Sequence, residues 1–373
     1  MSSILYVGMD VHSTNYTLAT FSLEYDAPKF IHTVEPDVKN ILLYLEMVRC
    51  KTVGITGEVE FVCGYEAGCL GYTLYKELTE RNIKCVIIAP TTMSVPRGKR
   101  IKTDKRDAAL IAQCLAYRTY KAVYIPDEED NSVKEYIRMR DDHNLELKRL
   151  KQQILSFCLR NGFHYTDGNY WTEKHLKYIR EIRFENDILQ EILAEYLTTY
   201  YSLTDKIARL DKRIDEFTEL PKYKEKVERL NCFIGIKNRT SLGLLVEVGD
   251  FNRFGKASQY AAYLGLVPGE DSSSDNENKL SITKAGNSHV RRLMIESAQS
   301  FARGKVGFKS AELKQRQAGN SSEVIAYADK ANERLRRKYY KFISRGMKRN
   351  VAITAIAREL ACFTWGMLTD HLC

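Results

Sequence analysis

The sequence predicts an α/β domain at the N-terminus, a long helical middle and a compact, mainly α C-terminal part. Three observations carry this. Over the first 125 residues, strand and helix patterns follow one another in the order βββαβαβα. From about 130 to 225 glycine almost disappears and long helical spacing takes over. From 226 the chain turns compact and α-rich again, so the boundaries read as 1–125, 126–225 and 226–373.

In order, SILYVGM (3–9) is a short apolar run ending at Asp10, NYTLATFSL (15–23) alternates, and KFIHTV (29–34) is strand-like. Three such runs in close succession read as an antiparallel meander. DVKNILLYLEMVR (37–49) gives a helix, VEFVCGYE (59–66) a strand ending at Glu66, and GYTLYKELTER (71–81) a second helix. KCVIIAP (84–90) is a buried strand closed by Pro90, and KRIKTDKRDAALIAQCL (99–115) is a basic loop running into a helix. Mixed antiparallel and crossover connections fit an α/β layer architecture. In the middle, Leu203, Ile207, Leu210, Ile214 and Phe217 repeat at 4-3-4-3 spacing, a coiled-coil seam. Val133, Ile137, Leu147, Leu150, Ile154 and Phe157 supply a partner helix, so an antiparallel helical hairpin is expected. LNCFIGIKNRTSLGLLVEVG (230–249) reads as two helices around a glycine turn, where N–H groups near Gly235 could hold a phosphate. SQYAAYLGLVP then leads into a polar loop with Ser272, Ser273 and Ser274, followed by the helix SHVRRLMIESAQSFAR.

With 373 residues, 44% hydrophobic and 28% charged, the chain has material for two or three domains with proper cores. No apolar run approaches the roughly 18 residues of a membrane span, and MSSILYVGMDVH lacks the pattern of a secretory signal. Nine cysteines, without a CxxC pair, read as buried thiols in a reducing cytoplasm. The net charge of +9 is concentrated: residues 97–106 hold six Lys or Arg, and 331–349 hold eight against one acid, with Tyr339 and Tyr340 interleaved. One such stripe suits a solvated amphipathic helix equally well; two favour a nucleic-acid partner.

The aspartates inside the first basic stretch need their own account. Asp104 and Asp107 favour the positive end of a helix macrodipole, and surface ion pairing with their basic neighbours is the plain alternative. Yet Asp10 closes the first strand and Glu66 the fourth, and Asp104 and Asp107 open the helix after the fifth. In a ribonuclease-H-like fold the first and fourth strands are central neighbours and that last helix packs on them. Four carboxylates then converge, and they cannot all stay ionised without divalent cations; oxygen-only ligands favour Mg²⁺, with Mn²⁺ also suited. Lys99, Arg100 and Lys102 of the basic loop would contact the nucleic-acid backbone. His12, two residues after Asp10, is read as support for the acid rather than as a ligand.

The ordered motifs GMDVH, YEAGCLGYTLYKEL, RIKTDKRDAALIA, YLGLVP with its serine cluster, ITKAGNSHVRRLM and RGMKRNVAITAIARELACFTW resemble those of the DEDD-type transposases of bacterial insertion sequences. These are relatives of the Piv-type DNA invertases and include bridge-RNA-guided recombinases. The resemblance implies a RuvC-like domain with Asp10, Glu66, Asp104 and Asp107 as its metal-binding acids, a coiled-coil linker and a C-terminal transposase domain. It further implies a serine nucleophile five residues after Pro268, namely Ser273, although Ser274 stands where many relatives have glycine. Lys284, Arg291 and Arg292 become candidate phosphate contacts. Donor and target DNA, a non-coding bridge RNA and a dimer or tetramer are the implied partners, in a bacterial cytoplasm at the nucleoid. A RuvC-like invertase or Holliday-junction nuclease, hydrolysing DNA without a serine adduct, is the alternative.

Overall fold

The computed structural model describes residues 3–56, 59–68, 70–90, 93, 103–270 and 279–372. The chain divides into two compact units, Met1–Ile125 and Pro126–Cys373.

The first unit runs β1 (Ser3–Val11), β2 (Tyr16–Phe21), β3 (Lys29–Val34), α1 (Val38–Thr56), β4 (Val59–Glu66), α2 (Thr73–Glu80), β5 (Lys84–Ile88) and α3 (Asp104–Tyr117). Its sheet has the order β3-β2-β1-β4-β5. Short turns make β1, β2 and β3 antiparallel, whereas the crossovers through α1 and α2 return β4 and β5 parallel to β1. This is the mixed sheet expected of the ribonuclease-H-like fold. One face carries Leu5, Val7, Met9, Phe61, Cys63 and Tyr65, packed with Ile41, Leu45 and Val48 of α1 and Leu74 and Leu78 of α2.

The opposite face is built for close approach. A Cβ on Gly8 would stand 2.1 Å from the Ala108 carbonyl oxygen and 2.3 Å from the Ala112 nitrogen. A Cβ on Gly64, the paired residue of β4, would meet the Leu115 methyls at 2.9 Å. Without side chains at these two positions, α3 lies directly on the central strands, sealed by Ile88, Ile111 and Leu115.

The second unit comprises α4 (Glu128–Arg160), α5 (Glu173–Glu181), α6 (Asp187–Thr218), α7 (Lys224–Leu230), α8 (Asn238–Val248), α9 (Ala257–Tyr263), the strands β6 (Pro268–Glu270) and β7 (Lys279–Ile282), α10 (Ser288–Ala298), α11 (Ala311–Gln317), α12 (Ser322–Ser344) and α13 (Arg349–Leu368). Helices α4 and α6 pair as an antiparallel hairpin. Near one end Arg140 grips Asp211 with two bonds of 2.7 Å; near the other the Phe157 and Tyr196 rings lie 5.7 Å apart. Ile207 and Ile214 of the expected seam are buried, and Leu203, Leu210 and Phe217 are half-buried. Val133, Ile137 and Ile214 enter the same core as Leu230, Phe233, Leu242, Val290 and Ile356, so the hairpin is rooted in the C-terminal helices. Among the described helices α13 alone is long and apolar enough to cross a membrane. Its Ile353, Ile356, Leu360 and Ala361 are buried in that core, and its Glu359 is held by Arg334 and Lys338 of α12.

Candidate metal centre

Asp10 lies near the end of the central strand β1, with Thr17 of β2 as its register partner. Alternation from Gly8 turns its side chain to the α3 face. The β1–β4 register runs through Met9 and Tyr65, so Asp10 and Glu66 are the next residues along, on the face of Gly8 and Gly64. Helix α3 starts under Thr103, an extended N-cap whose hydroxyl accepts from the Arg106 N–H. That start places Asp104 and Asp107 in the first turn. Ala108, the residue after Asp107, is the one whose carbonyl rests on Gly8, two residues before Asp10. A contact of small residues thus brings the helix acids to the end of the strand.

The electrostatics follow. The Asp10 side chain is 17% exposed, and His12 Nε2 stands 3.4 Å from its Oδ1. Burial raises the Asp10 pKa above the ordinary carboxylate value; His12 opposes this, and repulsion from Asp104 and Asp107 adds to it. One ligand atom each of Asp10, His12 and Asp104 fall within 4.8 Å of one another. Carboxylates crowded in this way are relieved by a cation. With three convergent donors, Asp107 near enough to repel Asp10, and Glu66 closing the adjoining strand, the residues present fit a divalent metal ion.

The other expected residues are distributed differently. Lys99, Arg100, Lys102 and the serines 272–274, Ser273 included, lie outside the described residues. Lys284 is exposed in a left-handed backbone conformation, φ 54°, before α10. Arg291 donates to the Leu264 and Ala285 carbonyls at 2.9 and 3.0 Å. Arg292 pairs with Asp141 of α4, a buried carboxylate also held by Arg239 at 2.8 Å. The two arginines read as phosphate contacts are therefore engaged within the fold. Gly235 does form a turn, φ +81°, but its Cα faces the Ser297 carbonyl, which a Cβ would meet at 2.3 Å. The residue that spacing left out of the donor set is His12. Its only sequence signal is the two-residue alternation from Asp10.

A mixed 3-2-1-4-5 sheet, with acids at its central strand ends and a facing helix that opens on two more, defines a ribonuclease-H-like domain of the kind that works on phosphodiesters with divalent metal. Residues 7–163, which contain all four acids and His12, match a DEDD-type family described as transposase. Residues 227–312 match the family described as Transposase IS116/IS110/IS902. The transposase of insertion sequence element IS1533 of Leptospira borgpetersenii is 31% identical over 91% of this chain and 96% of its own length. The protein y4qE of Sinorhizobium fredii, named as a transposase, is 33% identical over 85% of this chain and 77% of its own. The pilin gene-inverting protein of Moraxella bovis is 26% identical over 62% and 63%. The chain belongs to the IS116/IS110/IS902 family of transposases, and it is an enzyme of that class.

Proposed function

We propose that this chain breaks and rejoins DNA strands for an insertion sequence, as a transposase or invertase whose chemistry runs at Asp10, Glu66, Asp104 and Asp107 with bound Mg²⁺ or Mn²⁺. The observation that carries the reading is the crowding of Asp10 with Asp104 and Asp107 at the end of the central strand. When bound, the metal supplies Lewis-acid polarisation of the scissile phosphate and stabilises the leaving oxygen. Asp10 and Asp104 are the holding groups, one from the strand and one from the helix. Glu66 supports them from the neighbouring strand. Asp107, half-buried one turn into α3, is the carboxylate suited to take the proton from an attacking hydroxyl. The α4–α6 hairpin serves as a coiled-coil-like assembly arm.

A finer reading adds a bridge RNA and a phosphoserine link at Ser273. Its support is the order of motifs from YLGLVP through ITKAGN. The acid centre already contains what direct attack on a phosphodiester needs, so cleavage without a serine adduct is the reading preferred here. A suicide DNA substrate run on a denaturing gel separates the two. Free 3′-hydroxyl ends and no protein–DNA adduct are expected, and an adduct mapping to residues 272–274 would put the serine mechanism in its place. Cleavage that persists in Asp104→Asn would remove the acid centre from both.

A further inference from the structure

We infer that His12 is a direct metal ligand, so that the Asp10–Asp104 position takes one nitrogen donor and discriminates in favour of Mn²⁺ over Mg²⁺. The inference rests on the metal-dependent reading above and assigns to this chain a donor that the four acids do not include.

The geometry is specific. His12 follows the last residue of β1, and its backbone N–H donates to the Asn15 carbonyl at 3.0 Å, which fixes the turn into β2. Held there, the imidazole folds back along the strand toward Asp10. Its Nε2 stands 3.4 Å from Asp10 Oδ1, longer than the roughly 2.7–2.9 Å of a charge-assisted hydrogen bond. The Asp10, His12 and Asp104 ligand atoms share a sphere in which no two are more than 4.8 Å apart. Bonds of about 2.1 Å to one ion put neighbouring ligands about 3 Å apart and opposite ligands about 4.2 Å apart. The 3.4 Å between His12 and Asp10 already lies within the range of ligands on a common ion, and the 4.8 Å limit on the pairs with Asp104 exceeds it by no more than about half an ångström. The His12 side chain is 52% exposed, so little packing opposes the adjustment.

The chemical consequence follows from donor type. Mg²⁺ takes oxygen ligands and gives up its waters reluctantly; Mn²⁺ also prefers oxygen, but as a first-row transition ion it accepts an imidazole beside carboxylates more readily. A centre of carboxylates alone would rank the two by size and charge. One imidazole adds a bond that Mn²⁺ uses more readily than Mg²⁺ does.

The test uses the full chain without DNA. Mn²⁺ is titrated and followed by electron paramagnetic resonance, and the bound ion is examined for ¹⁴N modulation in wild type, His12→Ala and Asp10→Asn; Mg²⁺ is measured by competition. Wild type is expected to show imidazole ¹⁴N coupling. His12→Ala should keep an Asp10-dependent site without that coupling and bind Mn²⁺ about tenfold more weakly. Its Mg²⁺ competition should stay within about twofold. Mn²⁺ bound in an Asp10-dependent way but without ¹⁴N coupling would exclude His12 while leaving the carboxylate centre standing, and so would coupling that survives in His12→Ala. Absence of any Asp10-dependent Mn²⁺ binding would overturn the metal reading itself, and this inference with it.

Discussion

At the scale of single residues, Asp10 connects charge, stability and metal. Its raised pKa means that the folded chain keeps this carboxyl protonated to a higher pH than the unfolded chain does. The associated stability is present below the ordinary value of 3.8 and is lost as the pH rises through the raised one. At neutral pH without metal, Asp10 is thus a like charge held against Asp104 and Asp107. We expect Asp10→Asn to melt about 1–2 °C higher than wild type in chelator, a small shift because the group is partly screened by solvent. Millimolar Mn²⁺ should reverse the order, since binding to the native state stabilises only the chain that keeps the site. A variant that melts lower in chelator would show that Asp10 is stabilised by its surroundings rather than strained by them. Asp104→Asn should reduce DNA strand cleavage by about 10²–10³ in a gel assay, the order of one lost electrostatic group. DNA retention on a filter should remain, because that variant removes a negative charge rather than a phosphate contact.

At the scale of elements, the centre depends on how closely α3 can lie on β1 and β4. The two glycines beneath it are not equivalent. A methyl on Gly8 meets backbone atoms of Ala108 and Ala112 at 2.1 and 2.3 Å, which only a shift of the whole helix can relieve, whereas one on Gly64 meets chiefly the movable tips of Leu115, with the Val86 carbonyl oxygen farther off at 3.1 Å. Gly8→Ala should therefore cost about 3 kcal/mol or more and weaken Mn²⁺ binding, while Gly64→Ala should cost about 1–2 kcal/mol and leave binding nearly intact. Thermal melts with parallel metal titrations check both, and equal effects would mean that helix placement does not set the centre. In the second unit Glu247 of α8 holds Arg138 of α4 at 2.7 Å and Asn287 before α10 at 2.9 Å. Burial acts to raise its pKa, but these partners hold it below the ordinary Glu value. Its contribution is present above pH 4.5 and lost as the pH falls through the lowered value. Much of this was legible in sequence. The apolar runs stop abruptly at Asp10 and Glu66, and Thr103 caps the helix that Asp104 opens, so strand ends and helix start were marked by local chemistry. Helix α1 runs to Thr56 rather than ending at 49, because no glycine or proline interrupts residues 50–53. His12 sits just past the end of β1, where the two-residue alternation from Asp10 gives its face but not its role as a donor. Arg292 finds Asp141 across 151 positions of sequence, a partner that no local pattern encodes.

For the whole molecule, the number of strands to be cut decides how many copies must act. Moving or inverting a DNA segment requires breaks at two ends, and among the described residues one cluster of metal-type ligands is found in each chain, so joint action of two copies is the expectation to test. The hairpin offers surface for assembly. Leu145 and Leu159 on α4 and Ile188 and Ile192 on α6 are exposed at 46%, 61%, 66% and 37%. Their burial against a second copy would return roughly 25 cal/mol for each Å² removed from water. We expect at least a dimer by light scattering when the chain is mixed with DNA carrying the ends of its element. Ile188→Glu combined with Ile192→Glu should leave the melting temperature within about 2 °C, since both side chains already face water. The same double variant should shift the complex toward monomer and reduce paired-end products while sparing single-strand nicking. Nicking and pairing would then fail separately: the acid centre would remain competent in each copy, and the coupling between copies would be lost. If the double variant assembles and recombines like wild type, the arm does not join copies through this face, and the hairpin acts only through the core it shares with the C-terminal helices.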